Sequence, residues 1–258
     1  MLIHVGKKEE YDAEHLPGAQ FLALMDISTP RGSGLSLELP SVEKLDSVFE
    51  AMGISDNSRI ILYFGNDWVS PTTRLFFTFE YIGLGSRTSI LDGGMQAWKL
   101  DKKPVTSEIP KIARGSFTPH PNPAVVVTAE WVNQNLKNPL VAIIDARSPI
   151  YYDGTDAGGM PRAGHIPGAV NIPFDSLVYD NNQFKSASDL QKIFAKAGVK
   201  PGSKIVTYCH VGQQATVVYF TSKSLGYDIA LYDGSFQDWS SRKEFPVDNP
   251  NPKKESHN

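Results

Sequence analysis

One ordered series of six sequence signals occurs twice in this chain, and an ordered repeat is what most narrows the folds open to it. The first run reads LIHV, EHLPGAQFL, SVEKLDSVFEAMG, RIILYF, TTRLFFTFEYIG and SILDGGMQAW. The second reads VAIIDAR, GHIPGAVNIPF, SASDLQKIFAKAG, KIVTYC, ATVVYFTSKSLG and ALYDGSFQDW. Insertions separate the copies without changing the order, which is the mark of duplication. The 258 residues then divide into two domains of ordinary size, each able to bury its own core. The expected boundaries are a first domain over 1–100, a linker over 101–123 and a second domain over 124–258. The linker, DKKPVTSEIPKIARGSFTPHPNP, is rich in proline and polar residues and shows no helical or strand period, so it is expected to run along the surface. The tail from about 248, DNPNPKKESHN, reads as frayed.

Each copy has the same local design. Val42, Leu45, Val48, Phe49 and Met52 form the apolar stripe of an amphipathic helix, and Gly53 stands where such a helix stops in the left-handed conformation. Leu190, Ile193, Phe194, Ala197 and Gly198 repeat that pattern. IILYF and IVTY are short, continuously apolar and β-branched, as expected for central parallel strands covered on both faces. Strands alternating with helices predict α/β architecture: two tandem domains, each an open, mainly parallel sheet flanked by helices.

A net charge of -3, with no block of lysine or arginine, gives no footprint for nucleic acid or anionic lipid. A small molecule or a protein is the expected substrate. No apolar run approaches the ~20 residues a membrane span needs. The first residues, MLIHVGKKEEYD, lack the apolar stretch of a secretory leader. The second copy opens with a capped helix, VTAEWVNQNLKNP, whereas the first begins almost at its strand, so the natural chain is expected to start further upstream. The expected location is the cytoplasm, or the periplasm if a leader has been removed. One cysteine excludes an internal disulfide.

That cysteine, Cys209, follows the buried strand IVTY and precedes a helix starting near Ala215 or Thr216. It therefore sits at the carboxyl end of a parallel strand, where open α/β sheets bind ligands. The segment CHVGQQ is short and contains Gly212, so its backbone can curl and aim several N–H groups at the sulfur or at an anion beside it. Converging amides at a helix N-terminus favour a thiolate, and the expectation is an acidified, exposed nucleophile. Phosphatases of the Cys-x5-Arg type pair the oxyanion with an arginine, but five residues on from Cys209 stands Ala215. A loop with uncharged Gln213 and Gln214 suits the anion of a persulfide, Cys–S–S⁻, better than a phosphate dianion.

With YDAEHLPGAQF and GHIPGAVNI near the domain starts, DGGMQAW and DGSFQDW near the ends, and the loop from Cys209 to Gln214, the chain resembles the rhodanese family, specifically the tandem-domain thiosulfate and 3-mercaptopyruvate sulfurtransferases. The resemblance implies a double displacement in which Cys209 takes sulfane sulfur from a donor and passes it to cyanide or a thiol. Arg147 and the loop residues His210, Val211, Gly212, Gln213 and Gln214 are implied as substrate contacts. No metal or dissociable cofactor is implied, and the expected partners are a small sulfur donor, a thiol or cyanide acceptor and a thioredoxin-like reductant. Phe64 occupies the cysteine's place in the first copy, which is expected to be inert. Many relatives carry a second arginine four residues after Arg147, where this chain has Tyr151. The loop also departs from the C-G-x-G-x-T of mercaptopyruvate enzymes and the C-R-K-G-V-T of vertebrate thiosulfate enzymes. Lacking glycine after the cysteine, it points to thiosulfate as donor, with 3-mercaptopyruvate the alternative. His210 could lend positive charge near the sulfur or point to solvent. His15 and His165, each beside Pro-Gly-Ala, read as turn residues. Asp145 reads as an orienting carboxylate, Trp98 and Trp239 as packing residues, and Asp67 and Trp68 as residues lining a cleft.

Overall fold

A computed structural model of the chain describes residues 1–252 except 31, 33 and 67. It divides into two compact units: residues 1–125 with 178–185, and residues 126–177 with 186–258. The second stretch of the first unit is a turn closed by a bridge between Val178 and Phe184, with the Phe184 N–H donating to Asp92 Oδ1 at 2.8 Å. Nothing in the polar sequence DNNQ marks that turn as belonging with the first copy. The 101–123 stretch likewise belongs to the first unit.

The first unit runs β1 (Leu2–Val5), α1 (Lys8–Ala13), β2 (Ala19–Leu22), α2 (Val42–Ala51), β3 (Ile60–Phe64), α3 (Ser70–Tyr81), β4 (Thr88–Ile90) and α4 (Gly94–Leu100). The second runs β5 (Val126–Val127), α5 (Ala129–Asn135), β6 (Val141–Asp145), α6 (Pro149–Tyr152), β7 (Val170–Asn171), α7 (Ala187–Lys196), β8 (Lys204–Tyr208), α8 (Ala215–Ser224), β9 (Asp228–Tyr232) and α9 (Ser235–Ser241). Among the described residues the sheets have the orders β2-β1-β3-β4 and β5-β9-β8-β6-β7, with every named pairing parallel. The fold is thus two tandem α/β domains. The second sheet repeats the first and adds β5, a two-residue strand beside β9.

The helices differ in burial as their sequences require. α2 and α7 bury a single stripe, Leu45 with Phe49 and Leu190 with Phe194. Their caps are those the sequence offers: the Ser41 and Ser186 side chains accept from the N–H groups of Lys44 and Asp189, and Gly53 and Gly198 leave at φ +75 and +82. In contrast α3 is buried from Thr72 to Phe79, and α8 from Ala215 to Tyr219. These helices follow the loops at the carboxyl ends of β3 and β8, so their starts are held within the core. Trp239 is fully buried in the second unit, stacked on Phe245 at 4.6 Å, with its indole N–H donating to the Pro246 carbonyl at 2.7 Å. Trp98 repeats that bond to Pro104 at 2.8 Å.

The expected frayed tail is tied down over its described part, 248–252, while 253–258 lie outside the described residues. Asp248 forms a two-way backbone bridge with His165, and the Asn251 N–H donates to the Asp153 carbonyl. Thr106 bridges His15 in the same way, so the repeat extends one element beyond each tryptophan.

Candidate active site

The cysteine loop is fastened before it turns. The side chains of β8 are buried from Ile205 to Tyr208. The Tyr208 hydroxyl accepts the Ile166 N–H at 3.1 Å. The Cys209 N–H donates to Ser235 Oγ at 3.2 Å, the Cys209 carbonyl accepts the Phe236 N–H at 2.9 Å, and the His210 carbonyl accepts the Gln237 N–H at 3.0 Å. Gly212 then takes φ +80, a conformation open to glycine at little cost. With the loop curled, the backbone amides of Ala215, Val211, Gly212 and Gln214 hydrogen-bond the Cys209 sulfur. This is the converging geometry the sequence predicts. The expectation of an exposed, acidified thiol is corrected: Cys209 is 1% exposed, and burial pushes its pKa up by more than the four amides pull it down.

One strand away, β6 pairs with β8 so that Asp145 lies opposite Tyr208. Arg147 follows and is fully buried. Its Nη2 donates to Asp145 Oδ2 at 2.6 Å and to the Gly164 carbonyl at 2.7 Å, and its Nε to Asp145 Oδ1 at 3.0 Å. Asp145 Oδ1 also accepts the Arg147 backbone N–H at 2.9 Å, which is the orienting role read from the sequence. The guanidinium lies 4.0 Å from the Phe236 ring centroid. Burial depresses the arginine's pKa, but the Asp145 hydrogen bond and charge more than restore it, and the net direction is up. Its Nη1 is buried with no hydrogen-bond partner among the described residues. Arg147 is therefore a sheathed cation in electrostatic reach of Cys209 rather than an open surface arginine.

His210 takes neither of the places considered for it. It packs edge-on to Tyr151 at 4.6 Å between ring centroids, and a Cβ on Gly158 would lie 2.6 Å from its Nε2. Burial, then the Arg147 charge, push its pKa down to about 4 against the pull of Asp145, a Gln214 side-chain hydrogen bond and Asp156. At neutral pH it is uncharged and lends no positive charge to the sulfur. Tyr151, standing where many relatives carry an arginine, serves as its packing partner.

The two copies act as internal controls. His15 Nδ1 meets the Tyr11 carbonyl at 2.7 Å and stacks on the Tyr11 ring at 4.0 Å, and His165 repeats this on Tyr152 at 2.7 and 3.9 Å. The same contacts with and without a cysteine nearby support the turn reading for both histidines. Phe64 is buried where Cys209 stands in the second copy. Trp68 is half exposed, and Asp67 lies outside the described residues. Among the described residues no group of three or more His, Cys, Asp or Glu is placed to hold a metal ion, and no helix is long and apolar enough to cross a membrane. Sequence reasoning missed Ser235, although its signal was visible as the single change from DGG to DGS between the copies.

A single cysteine cradled by backbone amides, at the carboxyl edge of one of two duplicated parallel sheets, defines the class: a tandem α/β protein with its cysteine loop in the second copy alone. The chain belongs to the rhodanese-like domain family, whose pattern matches residues 1–101 and 128–242. It is 30% identical to the sulfur carrier protein TtuD of Thermus thermophilus over 92% of this chain and 86% of that protein. It is 31% identical to the thiosulfate sulfurtransferase of Rattus norvegicus over 91% of this chain and 80% of that protein. Sulfur transfer is thus the general chemistry of its relatives. Among solved structures, the anaerobic ergothioneine biosynthesis enzyme of Chlorobium limicola matches with a TM-score of 0.87 at 21% identity, over 98% of this chain and 65% of that one. The chain spans just under two thirds of that enzyme's length, and the likeness is one of fold.

Proposed function

We propose that this chain is a thiosulfate sulfurtransferase in which Cys209 carries the transferred sulfur as a persulfide. The observation that carries the reading is the set of four backbone amides directed at the Cys209 sulfur. The Cys209 thiolate attacks the outer sulfur of thiosulfate. The S–S bond of the donor breaks, sulfite leaves with its electron pair, and a new S–S bond leaves Cys209 as Cys–S–S⁻. Charge is conserved, and the negative charge now on the outer sulfur is met by amide dipoles and by the Arg147 cation nearby. Cyanide or a thiolate then attacks that outer sulfur, takes it as thiocyanate or as a new persulfide, and returns Cys209 as thiolate. The burial that raises the thiol's pKa also excludes water and bulky reagents from the intermediate. Phe64 gives the first unit no nucleophile at the matching position.

The alternative donor is 3-mercaptopyruvate. Following thiocyanate formation with each donor plus cyanide separates the two, and Cys209→Ser must abolish turnover with both. Turnover by that variant would sink the persulfide route. A second reading, favoured by the relative named as a sulfur carrier protein, is a carrier that hands its persulfide to a partner protein. A stable sulfur adduct with negligible thiocyanate production is its signature.

A further inference from the structure

Ser235 opens α9 with φ +53, in the left-handed region that disfavours any residue carrying a Cβ. Of the four described non-glycine residues at positive φ, Leu37, Lys102, Asn182 and Ser235, it is the buried one. The sister position is Gly94, also at φ +53, so the turn itself accepts glycine. A Cβ on Gly94 would lie 2.6 Å from the Phe64 carbonyl oxygen and 2.8 Å from its ring, so the copy without the cysteine has no room for a side chain there. The copy with the cysteine carries a strained serine instead.

Its hydroxyl is fully employed. Oγ accepts the Cys209 N–H at 3.2 Å and donates to the Tyr232 carbonyl at 3.0 Å, tying the end of β9 to the residue that bears the sulfur. The next residue, Phe236, donates its N–H to the Cys209 carbonyl at 2.9 Å. The peptide groups on both sides of the Cys209 Cα are thus clamped by consecutive residues of one turn. Strain in a left-handed serine persists where the surroundings dictate it, and here they are the cysteine's own backbone.

We infer that Ser235 is a positioning residue: it accepts a strained backbone in order to hold the Cys209 peptide so that the sulfur stays centred among the amides of 211, 212, 214 and 215. The inference deepens the persulfide reading and rests on it. A serine that only satisfied a buried N–H would affect stability alone, whereas a positioning serine governs how the sulfur reacts.

The test uses Ser235→Gly and Ser235→Ala in the full chain, with Ser235→Gly decisive because the sister turn already carries glycine. Two quantities are read: the pH profile of Cys209 alkylation by iodoacetamide, and kcat and KM for thiocyanate formation from thiosulfate and cyanide. Positioning predicts an alkylation profile displaced to higher pH and kcat lowered by about tenfold to a hundredfold, with KM for thiosulfate within about twofold of wild type. An unchanged alkylation profile in folded Ser235→Gly overturns the inference, whatever happens to its melting temperature. If the wild-type chain takes no sulfur at all, the persulfide reading fails, while the alkylation profile still decides whether Ser235 positions the cysteine.

Discussion

Exchanging Asp145 for asparagine keeps the side chain's shape and deletes one charge from a pair with no access to water. The carboxylate accepts the Arg147 backbone N–H at 2.9 Å, Nε at 3.0 and 3.1 Å, and Nη2 at 2.6 Å, and both side chains are 0% exposed. At a separation of about 3 Å and an effective dielectric of about 20, the attraction lost is about 5 kcal/mol. The guanidinium left behind stays buried with its desolvation uncompensated, and breaking such pairs costs about 3–5 kcal/mol. Asp145→Asn should therefore lose about 3–5 kcal/mol, a large part of the ~5–15 kcal/mol that holds a domain folded. Urea unfolding followed by tryptophan fluorescence reads this in the second unit, where Trp131 and Trp239 lie. With a slope of about 2 kcal/mol per molar, the midpoint should fall by about 2 M. Adding Arg147→Met should recover part of the loss by removing the stranded charge. A loss below about 1 kcal/mol, or a double variant no better than the single one, refutes the argument that this pair is a sealed structural cation rather than an arginine presented to solvent.

Because burial raises the Cys209 pKa, the thiolate gains population only as pH rises, so the alkylation rate should climb across pH 7–9 with its midpoint above the usual ~8.5 of a free thiol. A plateau reached by pH 7 contradicts that balance. His210, pushed down to about 4, gains its proton only below that value, so His210→Gln should leave the pH profile of turnover between 6 and 8 unchanged, and a lost inflection in that window counts against it. Gly158→Ala must fit a Cβ at φ +59 within 2.6 Å of His210 Nε2, so it should cost about 1–3 kcal/mol of stability by denaturation. A neutral substitution there means that the 154–159 stretch yields more easily than its contacts imply.

What the sequence revealed best was whatever the chain repeats. The amphipathic stripes at Leu45 and Phe49 and at Leu190 and Phe194, the apolar strands before Phe64 and Cys209, and the turns at His15 and His165 depend on local period and turn chemistry, which a linear reading can see. The curl of the cysteine loop was legible too, since a strand, a glycine and a helix start leave few paths for the backbone between them. Burial was not legible. Whether Cys209 or Arg147 faces water depends on Phe236, Gly164 and Asp145, which are distant in sequence from one or both of them, so the loop pattern suggested an exposed, acidic thiol and the resemblance gave Arg147 only a substrate contact, with no sign that both are buried. The neutral state of His210 also rests on tertiary contacts, with Tyr151 and Gly158 close to its ring from another segment. The 178–185 turn carries no signal of the unit it joins, because its tie to the Asp92 carboxylate is made through the Phe184 backbone N–H, which every residue but proline offers.

Intact-mass spectrometry after brief exposure to thiosulfate and removal of excess donor tests the persulfide claim most directly. The wild-type chain should gain about 32 Da, one sulfur atom, and lose it on adding cyanide, while Cys209→Ser stays unmodified throughout. An unchanged wild-type mass, or the same gain in Cys209→Ser, contradicts the account.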